Sequence, residues 1–381
     1  MRVVVVPHAY APSIGGAERY AQGTAEGLVL LGHEVHVVVA DVVNPEAFYE
    51  LGHAAVGVPE ETMVGVQVHR LPFHTFSYRH LGLVIGSERA IRSARTRFRQ
   101  YLDPVLSSLA PDVVITLPHL FPNVEDVVRL RSSASWKLVY APMLHEDDPY
   151  WSMERVSEAV VAADGVIALT EHERSRLLES YGARSESTAV VPPGVNLPAH
   201  HGNEAREPVV LFIGRRTPSK RLDILYEAMK LVWIEQPSAR LVVAGSAPTR
   251  GLDPAAFMAA DQRVTIITSP SDMTRDQLLA SARLLVNASI TESFGIATLE
   301  GWSHGAPVVV PDTGVNRSLV HDGIDGLLAT PDVEGFAEKI SILLEQPALA
   351  QSMGSRGRDR VLEEFSWSAS ATALETLAKS L

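Results

Sequence analysis

Two glutamates separated by a short turn are the first residues in this sequence whose types and spacing suggest chemistry. Glu292 and Glu300 lie in the stretch TESFGIATLE, with Phe294 and Gly295 between them. An ionised carboxylate only accepts hydrogen bonds, so it suits a vicinal diol, which offers two hydroxyl groups as hydrogen-bond donors. A nucleotide sugar carries one diol on its ribose and another on its sugar. The spacing is consistent with two acids that bind the two ends of such a molecule; two solvated acids on a helix surface are the alternative.

A second candidate group is the basic stretch GRRTPSKRL. Thr217 and Pro218 are typical of a helix N-cap and a first helical residue, which predicts that Lys220 lies in the first helical turn, just after Arg215 and Arg216. Cations at this end of a helix oppose its dipole, so a cluster of them indicates a bound anion such as phosphate. A solvated surface cluster is the alternative. Because the stretch follows a buried strand, we favour phosphate binding.

A glycine pair follows the first apolar strand, in the stretch PSIGGAE. Gly15 and Gly16 would let the backbone approach a ligand closely at the start of a helix, although a simple turn would use the same residues. Neither this loop nor the basic stretch matches the G-x-G-x-x-G or G-x-x-x-x-G-K-[ST] fingerprint. This absence argues against a nicotinamide dehydrogenase and against a P-loop ATPase.

Two stretches of similar design must position these residues. Residues 2–40 and 208–245 each contain an apolar strand, a loop, a helix pattern and a second apolar strand. Strands that are apolar on both faces and alternate with helices predict parallel sheets covered by helices. Because such sheets bind ligands beyond the carboxyl ends of their strands, two domains facing each other would form one cleft. Further strands are predicted near residues 66–70, 112–117, 137–141, 165–169, 188–191, 263–267, 283–287, 307–310 and 326–328.

The length of 381 residues is enough for two domains, and the polar stretch LPAHHGNEAREP, residues 197–208, is typical of a hinge. We therefore predict a first Rossmann-like domain over residues 1–197 and a second over residues 208–365. The remaining residues, 366–381, predict a terminal helix.

Composition excludes several classes of protein. The net charge of −12 argues against a general nucleic-acid binder, because phosphate backbones need a basic footprint. The chain has no cysteine, so disulfides and thiolate metal sites are excluded. No apolar run approaches the ~20 residues of a membrane helix, and the apolar start is too short for a signal peptide. We therefore expect a cytoplasmic protein, at most peripheral to a membrane.

Several stretches together resemble the retaining glycosyltransferases of family 4, which have the GT-B fold. Their E-x7-E segment is similar to SITESFGIATLEGWSHGAPVVVPDTG, their G-R-x-x-x-x-K motif to FIGRRTPSKRLDILYEA, and their Gly-Gly loop to SIGGAERY. Their last helix, which crosses back to the N-terminal domain, is similar to EFSWSASATALETLAKSL. The resemblance implies an α/β protein with two Rossmann-like domains whose parallel sheets face each other across a cleft.

The resemblance also implies roles for individual residues of the sugar-donor site. Arg215 and Lys220 would hold the diphosphate and stabilise its charge as it leaves. Glu300 would bind the ribose, Glu292 the transferred sugar, and Gly16 would approach the diphosphate. The donor-binding residues implied in this way are Gly15, Gly16, Gly214, Arg215, Lys220, Glu292, Ser293, Phe294, Gly295, Ile296 and Glu300.

Residues of the first half are expected near the sugar and the acceptor. In the family a histidine that follows an N-terminal strand lies beside the sugar, and His119 fits that place as a catalytic residue; a plain loop histidine is the alternative. His145, Asp147 and Tyr10 are expected on the acceptor side. His145, Asp147 and Asp148 would also suit a metal ion, but the family needs none, so we expect no metal and no cofactor. Ser318 stands where many members have an acid, which is a departure from the family.

The implied reaction moves a sugar from a UDP- or GDP-linked donor to a hydroxyl acceptor with retention at the anomeric carbon. A small molecule, a lipid-linked compound or a glycan would be the acceptor. A sugar-nucleotide epimerase or hydrolase and a non-catalytic nucleotide-sugar sensor are the alternatives. The predicted helix SERAIRSARTRFRQYL places Arg89, Arg92, Arg95 and Arg99 near one face, which would suit an anionic membrane or a phosphorylated acceptor, or simply solvent.

Overall fold

The structure is a computed structural model in which the described residues pack into two units. The first unit comprises Met1–Pro193 and Trp367–Leu381, and the second comprises Gly194–Ser366. The first unit thus ends before the stretch predicted as the hinge, and the last helix packs with the first unit. The residues described are 1–13, 15–43, 55–72, 88–118, 122–146, 152–198, 206–247 and 253–381, with the backbone alone described for residues 88–97 and 122.

Strands and helices alternate through most of the described chain. The strands are β1 (Arg2–Pro7), β2 (Glu34–Ala40), β3 (Glu60–Met63), β4 (Val66–Leu71), β5 (Val113–Leu117), β6 (Lys137–Tyr140), β7 (Gly165–Ala168), β8 (Thr188–Val190), β9 (Glu207–Ile213), β10 (Arg240–Ala244), β11 (Val264–Ile267), β12 (Ala282–Val286), β13 (Val308–Pro311) and β14 (Gly326–Ala329). The helices are α1 (Gly16–Leu30), α2 (Glu88–Leu109), α3 (Pro122–Arg131), α4 (Met153–Ala162), α5 (Glu171–Ser180), α6 (Leu222–Glu235), α7 (Asp272–Ser281), α8 (Ile296–Ser303), α9 (Gly314–Leu319), α10 (Val333–Glu345), α11 (Pro347–Glu364) and α12 (Trp367–Ser380). The predicted strands are therefore confirmed.

The first unit is built on an eight-stranded sheet in the order β3–β4–β2–β1–β5–β6–β7–β8. Val3, Val4, Val5 and Val6 of β1 are all buried, as expected for a strand covered on both faces. The described pairings are parallel except that of β3 with β4, which is antiparallel. Strand β3 was not predicted, because its sequence EETM has no apolar run and lies partly exposed at the edge of the sheet.

Helix α12 packs on α1 of the same unit through two glycines one helical turn apart. A Cβ atom at Gly23 would overlap the ring of Trp367, and one at Gly27 would press on Ala371. The missing side chains leave a groove on α1 that the last helix fills. The return of the last helix to the first unit therefore depends on small residues in α1.

The second unit is a six-stranded parallel sheet in the order β11–β10–β9–β12–β13–β14. Buried side chains that include Phe212, Leu225, Val243 and Phe336 form its core. The chain runs outward from β9 in one direction and then crosses to β12 and continues in the other. This reversal of strand order is where Rossmann-type sheets bind ligands.

No helix in the described part of the chain is long and apolar enough to cross a membrane. The predicted basic helix is present as the beginning of α2, but the side chains of residues 88–97 lie outside the described residues. Of the four arginines named, only Arg99 has a described side chain, and it is partly buried. Contact of this helix with a membrane stays a prediction.

Candidate functional site

The carboxyl ends of β9 and β12, where the strand order reverses, bring the basic stretch and the acidic stretch together. Lys220 Nζ donates a hydrogen bond to Glu292 Oε1 over 2.5 Å, and both side chains are mostly buried. Asn287, directly after β12, donates from Nδ2 to the same oxygen at 3.0 Å. A cation and a carboxylate 72 residues apart in the chain therefore meet at the position expected for a ligand.

Two glycines allow the loops after β9 and β10 to approach each other closely. Gly214 has φ of 155° and Gly245 has φ of 148°, values that favour glycine. A Cβ atom on Gly245 would overlap the carbonyl oxygen of Gly214. Gly214 is thus required by the backbone of this edge of the sheet, while its predicted contact with a sugar donor stays a prediction.

The two adjacent arginines of the basic stretch have different environments. Arg216 is 2 % exposed, and its guanidinium donates to Asp253 Oδ2 at 2.7 Å and to the carbonyl of Gly245 at 2.5 Å. It also donates to Thr268 Oγ1 at 3.2 Å, so it connects the loops that follow β9, β10 and β11. Arg215 is exposed. Of these two arginines, Arg215 is therefore the one that faces solvent and could contact a bound substrate.

The predicted α-helix begins later than expected, after a separate short turn. Pro218–Lys220 form a separate 3-10 turn, and α6 begins only at Leu222 because Arg221 adopts a left-handed conformation with φ of 50°. Thr217 and Pro218 hold the predicted N-cap and first positions, but of this 3-10 turn, and the Thr217 side chain makes no capping hydrogen bond; its hydroxyl pairs with that of Ser219 at 3.0 Å. Lys220 therefore does not lie in the first turn of an α-helix, and the helix dipole is not the reason for its position.

Glu300 is 7 % exposed on α8 and pairs with an arginine that the sequence pattern did not reveal. Arg275 Nη2 donates to both carboxylate oxygens, at 2.7 and 2.8 Å. Arg275 lies on α7, and nothing in its local sequence distinguishes it from a solvated residue. The buried carboxylate is thereby compensated, as buried charges generally must be.

The turn between the two glutamates leads directly into α8. Gly295 has φ of 91° and is the N-cap of the helix, without a side-chain cap. Phe294 is buried and packs edge-on against Phe365, with ring centroids 6.1 Å apart, whereas Ser293 and Ile296 are partly exposed. Among the described residues, the hydroxyl of Thr298 in the first turn of α8 has no hydrogen-bond partner although it is buried. Thr298 is a further residue that sequence reasoning missed.

The glycine pair of the first unit begins α1, with Gly15 as N-cap and Gly16 as first residue. Gly15 has φ of −173°, so its backbone needs no glycine; a Cβ atom there would instead overlap the carboxylate of Glu18. That carboxylate lies 3.4 Å from His8 Nε2 and accepts from Ser13 Oγ at 3.2 Å. Space for a buried carboxylate is therefore a second reason for glycine here, beside the predicted approach to a ligand.

The residues expected beside the sugar (His119) and on the acceptor side (His145, Asp147 and Tyr10) are only partly described. His119 and Asp147 lie outside the described residues. His145 is partly buried in the loop after β6. Tyr10 is 1 % exposed, and burial raises the pKa of its hydroxyl well above the ordinary value. Ser318 is on α9, where its hydroxyl donates to the carbonyl of Val315 at 2.7 Å.

No group of three or more His, Cys, Asp or Glu side chains in the described parts of the chain is arranged to hold a metal ion. Asp147, which was considered as a metal ligand, lies outside the described residues. The expected independence of metal ions therefore stays a prediction.

Solved structures define the class of this architecture. Sucrose-phosphate synthase from Thermosynechococcus elongatus is similar with a TM-score of 0.80 and 19 % identity, over 100 % of this chain and 98 % of that one. HepE from Anabaena, in complex with UDP and glucose, is similar with a TM-score of 0.72 and 19 % identity over all of both chains. At this level of identity the likeness shows the fold, and the predicted fold class is confirmed: this is a GT-B protein.

Sequence models give the family. Residues 15–194 match the glycosyl transferase 4-like domain, and residues 196–360 match the glycosyl transferases group 1. The chain is 31 % identical over 245 residues to the D-inositol 3-phosphate glycosyltransferase of Segniliparus rotundus, covering 60 % of this chain and 54 % of that protein. It is 31 % identical over 255 residues to the protein of that name from Mycobacterium avium, covering 61 % and 59 %. The chain thus spans little more than half of the length of these relatives. Because the two family models together match residues 15–194 and 196–360, the chain belongs to the family 4 glycosyltransferases.

Proposed function

We propose that this protein is a retaining glycosyltransferase that moves a sugar from a nucleotide-linked donor to a hydroxyl acceptor, and that the second unit binds the donor. The observation that carries the proposal is the ion pair of Lys220 with Glu292, 2.5 Å apart where the strand order reverses. A cation for a diphosphate and a carboxylate for sugar hydroxyls lie side by side there, as a sugar diphosphate requires.

The charges around this pair extend the same assignment along the donor. Arg215 and Lys220 would hold the two phosphates, and Glu292 would accept hydrogen bonds from the sugar. Glu300, compensated by Arg275, would accept from the ribose hydroxyls. The structure of HepE, similar in fold, contains UDP and glucose. This likeness supports UDP-linked sugars as the first donors to test, with GDP-linked sugars as the comparison.

The reaction we propose needs no protein residue as a general base. A bond forms between the acceptor oxygen and the anomeric carbon while the bond from that carbon to the phosphate oxygen breaks. The acceptor proton passes to the departing phosphate oxygen, and attack from the face that the nucleotide leaves retains the configuration. Lys220 and Arg215 would stabilise the negative charge on the leaving diphosphate. Because fixed cations take this part, we expect turnover to be insensitive to chelation of metal ions.

The acceptor class is proposed from the relatives alone. They are named D-inositol 3-phosphate glycosyltransferases, so a polyol phosphate is the first acceptor to test. A lipid-linked or glycan acceptor would be the next choice, and contact with an anionic membrane through α2 would favour a lipid-linked one.

The test is a product assay with the purified chain. The protein is incubated with UDP-glucose or GDP-glucose, each with and without D-inositol 3-phosphate, and products are followed by proton NMR. A new glycoside whose anomeric coupling matches that of the donor supports the proposal. A glycoside of inverted configuration would contradict retention.

The same assay separates the competing activities. Free glucose formed at the same rate with and without acceptor indicates a hydrolase, and an isomerised nucleotide sugar indicates an epimerase. Calorimetry with UDP and GDP covers the remaining case: tight binding without turnover on a panel of polyol phosphates and glycans would favour a sensor.

A further inference from the structure

The first unit contains a capping sequence whose acid does not close on its own helix. Thr170 and Glu173 have the spacing of a capping box at the start of α5, in which the acid ordinarily accepts from the backbone N–H of the N-cap residue. Half of the box is present, because Thr170 Oγ1 accepts from the backbone N–H of Glu173 at 3.0 Å. The carboxylate of Glu173, however, is directed to two other amides.

Glu173 bridges the loops that follow two neighbouring strands. Its Oε2 accepts from the backbone N–H of Leu169, after β7, at 2.6 Å. Its Oε1 accepts from the backbone N–H of Leu144, after β6, at 2.7 Å. The side chain is 2 % exposed, so neither amide has water as a ready substitute partner. One buried carboxylate therefore connects both loops at the carboxyl edge of the sheet.

The loop after β6 has a second attachment to the same helix. Glu146 Oε1 accepts from Arg176 Nη2 and from the hydroxyl of Tyr181, both at 2.7 Å. Before it, Met143 has φ of 52°, a conformation that a non-glycine residue keeps only when its surroundings impose it. His145 lies between the two attached residues. Its backbone is thus fixed from both sides by α5 and the residue that follows this helix.

We propose that Glu173 is a positioning residue for the acceptor side, which fixes the loop of residues 141–146 and thereby the direction of the His145 side chain. The inference rests on the proposed function, because the acceptor role of His145 does. A carboxylate is the side chain that suits this position, since both of its oxygens accept hydrogen bonds. A glutamine would offer one acceptor and present its own N–H groups to the other amide.

The charge of this carboxylate makes the attachment sensitive to pH. Burial raises the pKa of Glu173 to about 7, although the two backbone hydrogen bonds act in the opposite direction. Among the described residues, the phenols of Tyr20 on α1 and Tyr140 on β6 face it, and both are themselves buried. As pH falls through about 7, one oxygen takes a proton and becomes a hydrogen-bond donor. The amide it had accepted from then loses its charged partner.

Amide hydrogen exchange tests the attachment without any ligand. Glu173→Gln is compared with wild type and with Glu171→Gln, the same change at an exposed position of α5. We expect exchange of residues 141–146 in Glu173→Gln to be about tenfold faster, the scale of one lost buried hydrogen bond. Wild type at pH 6 should also exchange faster than at pH 8 after correction for the intrinsic rate, because local opening of the loop removes the hydrogen bonds that favour the charged form while the carboxyl stays buried on α5. In global unfolding the carboxyl reaches water, so the pH dependence has the opposite sign. Glu171→Gln should match wild type at both pH values.

The position of His145 supplies the second readout. Its ring resonance, assigned with His145→Gln in histidine-labelled protein, should shift in Glu173→Gln, while that of His304 in the second unit stays in place. With UDP-glucose and D-inositol 3-phosphate, the acceptor KM should rise about tenfold at nearly constant donor affinity. Unchanged exchange of residues 141–146 together with an unmoved His145 resonance would overturn the inference. An absence of turnover in wild type would instead count against the proposed function, and the exchange and NMR results would still decide the role of Glu173.

Discussion

The carboxyl edges of the two sheets use acidic side chains in different ways. In the second unit, Glu292 and Glu300 pair with the side chains of Lys220 and Arg275. In the first unit, Glu173 accepts from two backbone amides. A side chain in an ion pair can exchange its partner for a ligand while the backbone stays in place. A carboxylate that accepts from backbone amides instead holds the backbone of the loops, so it cannot be released without moving them. The acids at the sheet edge of the second unit can therefore interact with a ligand, whereas Glu173 at the sheet edge of the first unit holds two loops in place.

The largest effect is expected at the cation of the second unit. Lys220→Ala removes the charge placed for the diphosphate and should lower turnover about 10²–10³-fold, as loss of one group that stabilises a transition state does. Steady-state kinetics with UDP-glucose and the best acceptor give the measurement. Lys230→Ala is the matched control, because Lys230 is an exposed lysine of the same unit paired with Glu227. Equal losses in the two variants would contradict the assignment of Lys220.

Substitution of the buried Arg216 should lower stability, whereas substitution of the adjacent, exposed Arg215 should weaken donor binding. Arg216→Ala breaks a buried ion pair with Asp253 and the hydrogen bonds to Gly245 and Thr268, so the free energy of unfolding should fall by about 3 kcal/mol. Arg215→Ala should change it by less than about 0.5 kcal/mol, because the side chain is exposed. Urea unfolding measures the first effect, and calorimetry with UDP should show weaker binding in Arg215→Ala. If Arg215→Ala unfolded as readily as Arg216→Ala, the two residues would not have the separate roles described.

The carboxylate of the first unit should give a stability difference that depends on pH. The pKa of Glu173 rises from its ordinary value of 4.5 to about 7 on folding, so its contribution to stability is complete below pH 4.5 and is lost as pH rises through 7. Relative to wild type, Glu173→Gln should therefore gain stability between pH 4.5 and 7, by at most roughly 3 kcal/mol. Urea unfolding at several pH values measures this change. A difference independent of pH would show that the carboxyl is not buried as described.

A smaller effect is expected where the first unit makes space for a carboxylate. Gly15→Ala should lower the free energy of unfolding by about 1–2 kcal/mol, because the new Cβ atom overlaps Glu18. Glu18→Ala removes the obstruction, so the double variant should be more stable than the sum of the single changes predicts. Thermal unfolding of the four proteins completes the cycle. Strict additivity would mean that Gly15 has another reason to be glycine, such as close approach of a ligand.

Much of the fold was predictable because local patterns carry it. Continuous apolar runs such as that of β1 indicate strands covered on both faces, and their alternation with helices indicates parallel sheets. Lys220 and Glu292, which the sequence assigns to one donor, lie in the segments that follow β9 and β12, and it is the strand order that makes these two strands neighbours. Strand β3 escaped prediction because an exposed edge strand needs no apolar run.

The partners of buried charges were not predictable from local patterns. Arg275 and Glu300 are 25 residues apart, and Leu144 and Glu173 are 29 residues apart. In both cases the partner is chosen by packing, because a buried charge or amide must find whatever group the fold brings near it. At the start of α5, the capping spacing of Thr170 and Glu173 likewise does not reveal that the acid accepts from Leu144 and Leu169.

The sequence by itself determined that this chain forms two α/β units with parallel sheets, and that acids and cations follow the strands of the second. It did so because strand periodicity and the residues next to strand ends are local properties. Only the tertiary structure decided which arginine is buried, which glutamate holds a loop and where α6 begins. Those outcomes depend on burial and on contacts between distant residues, which no short stretch of sequence records.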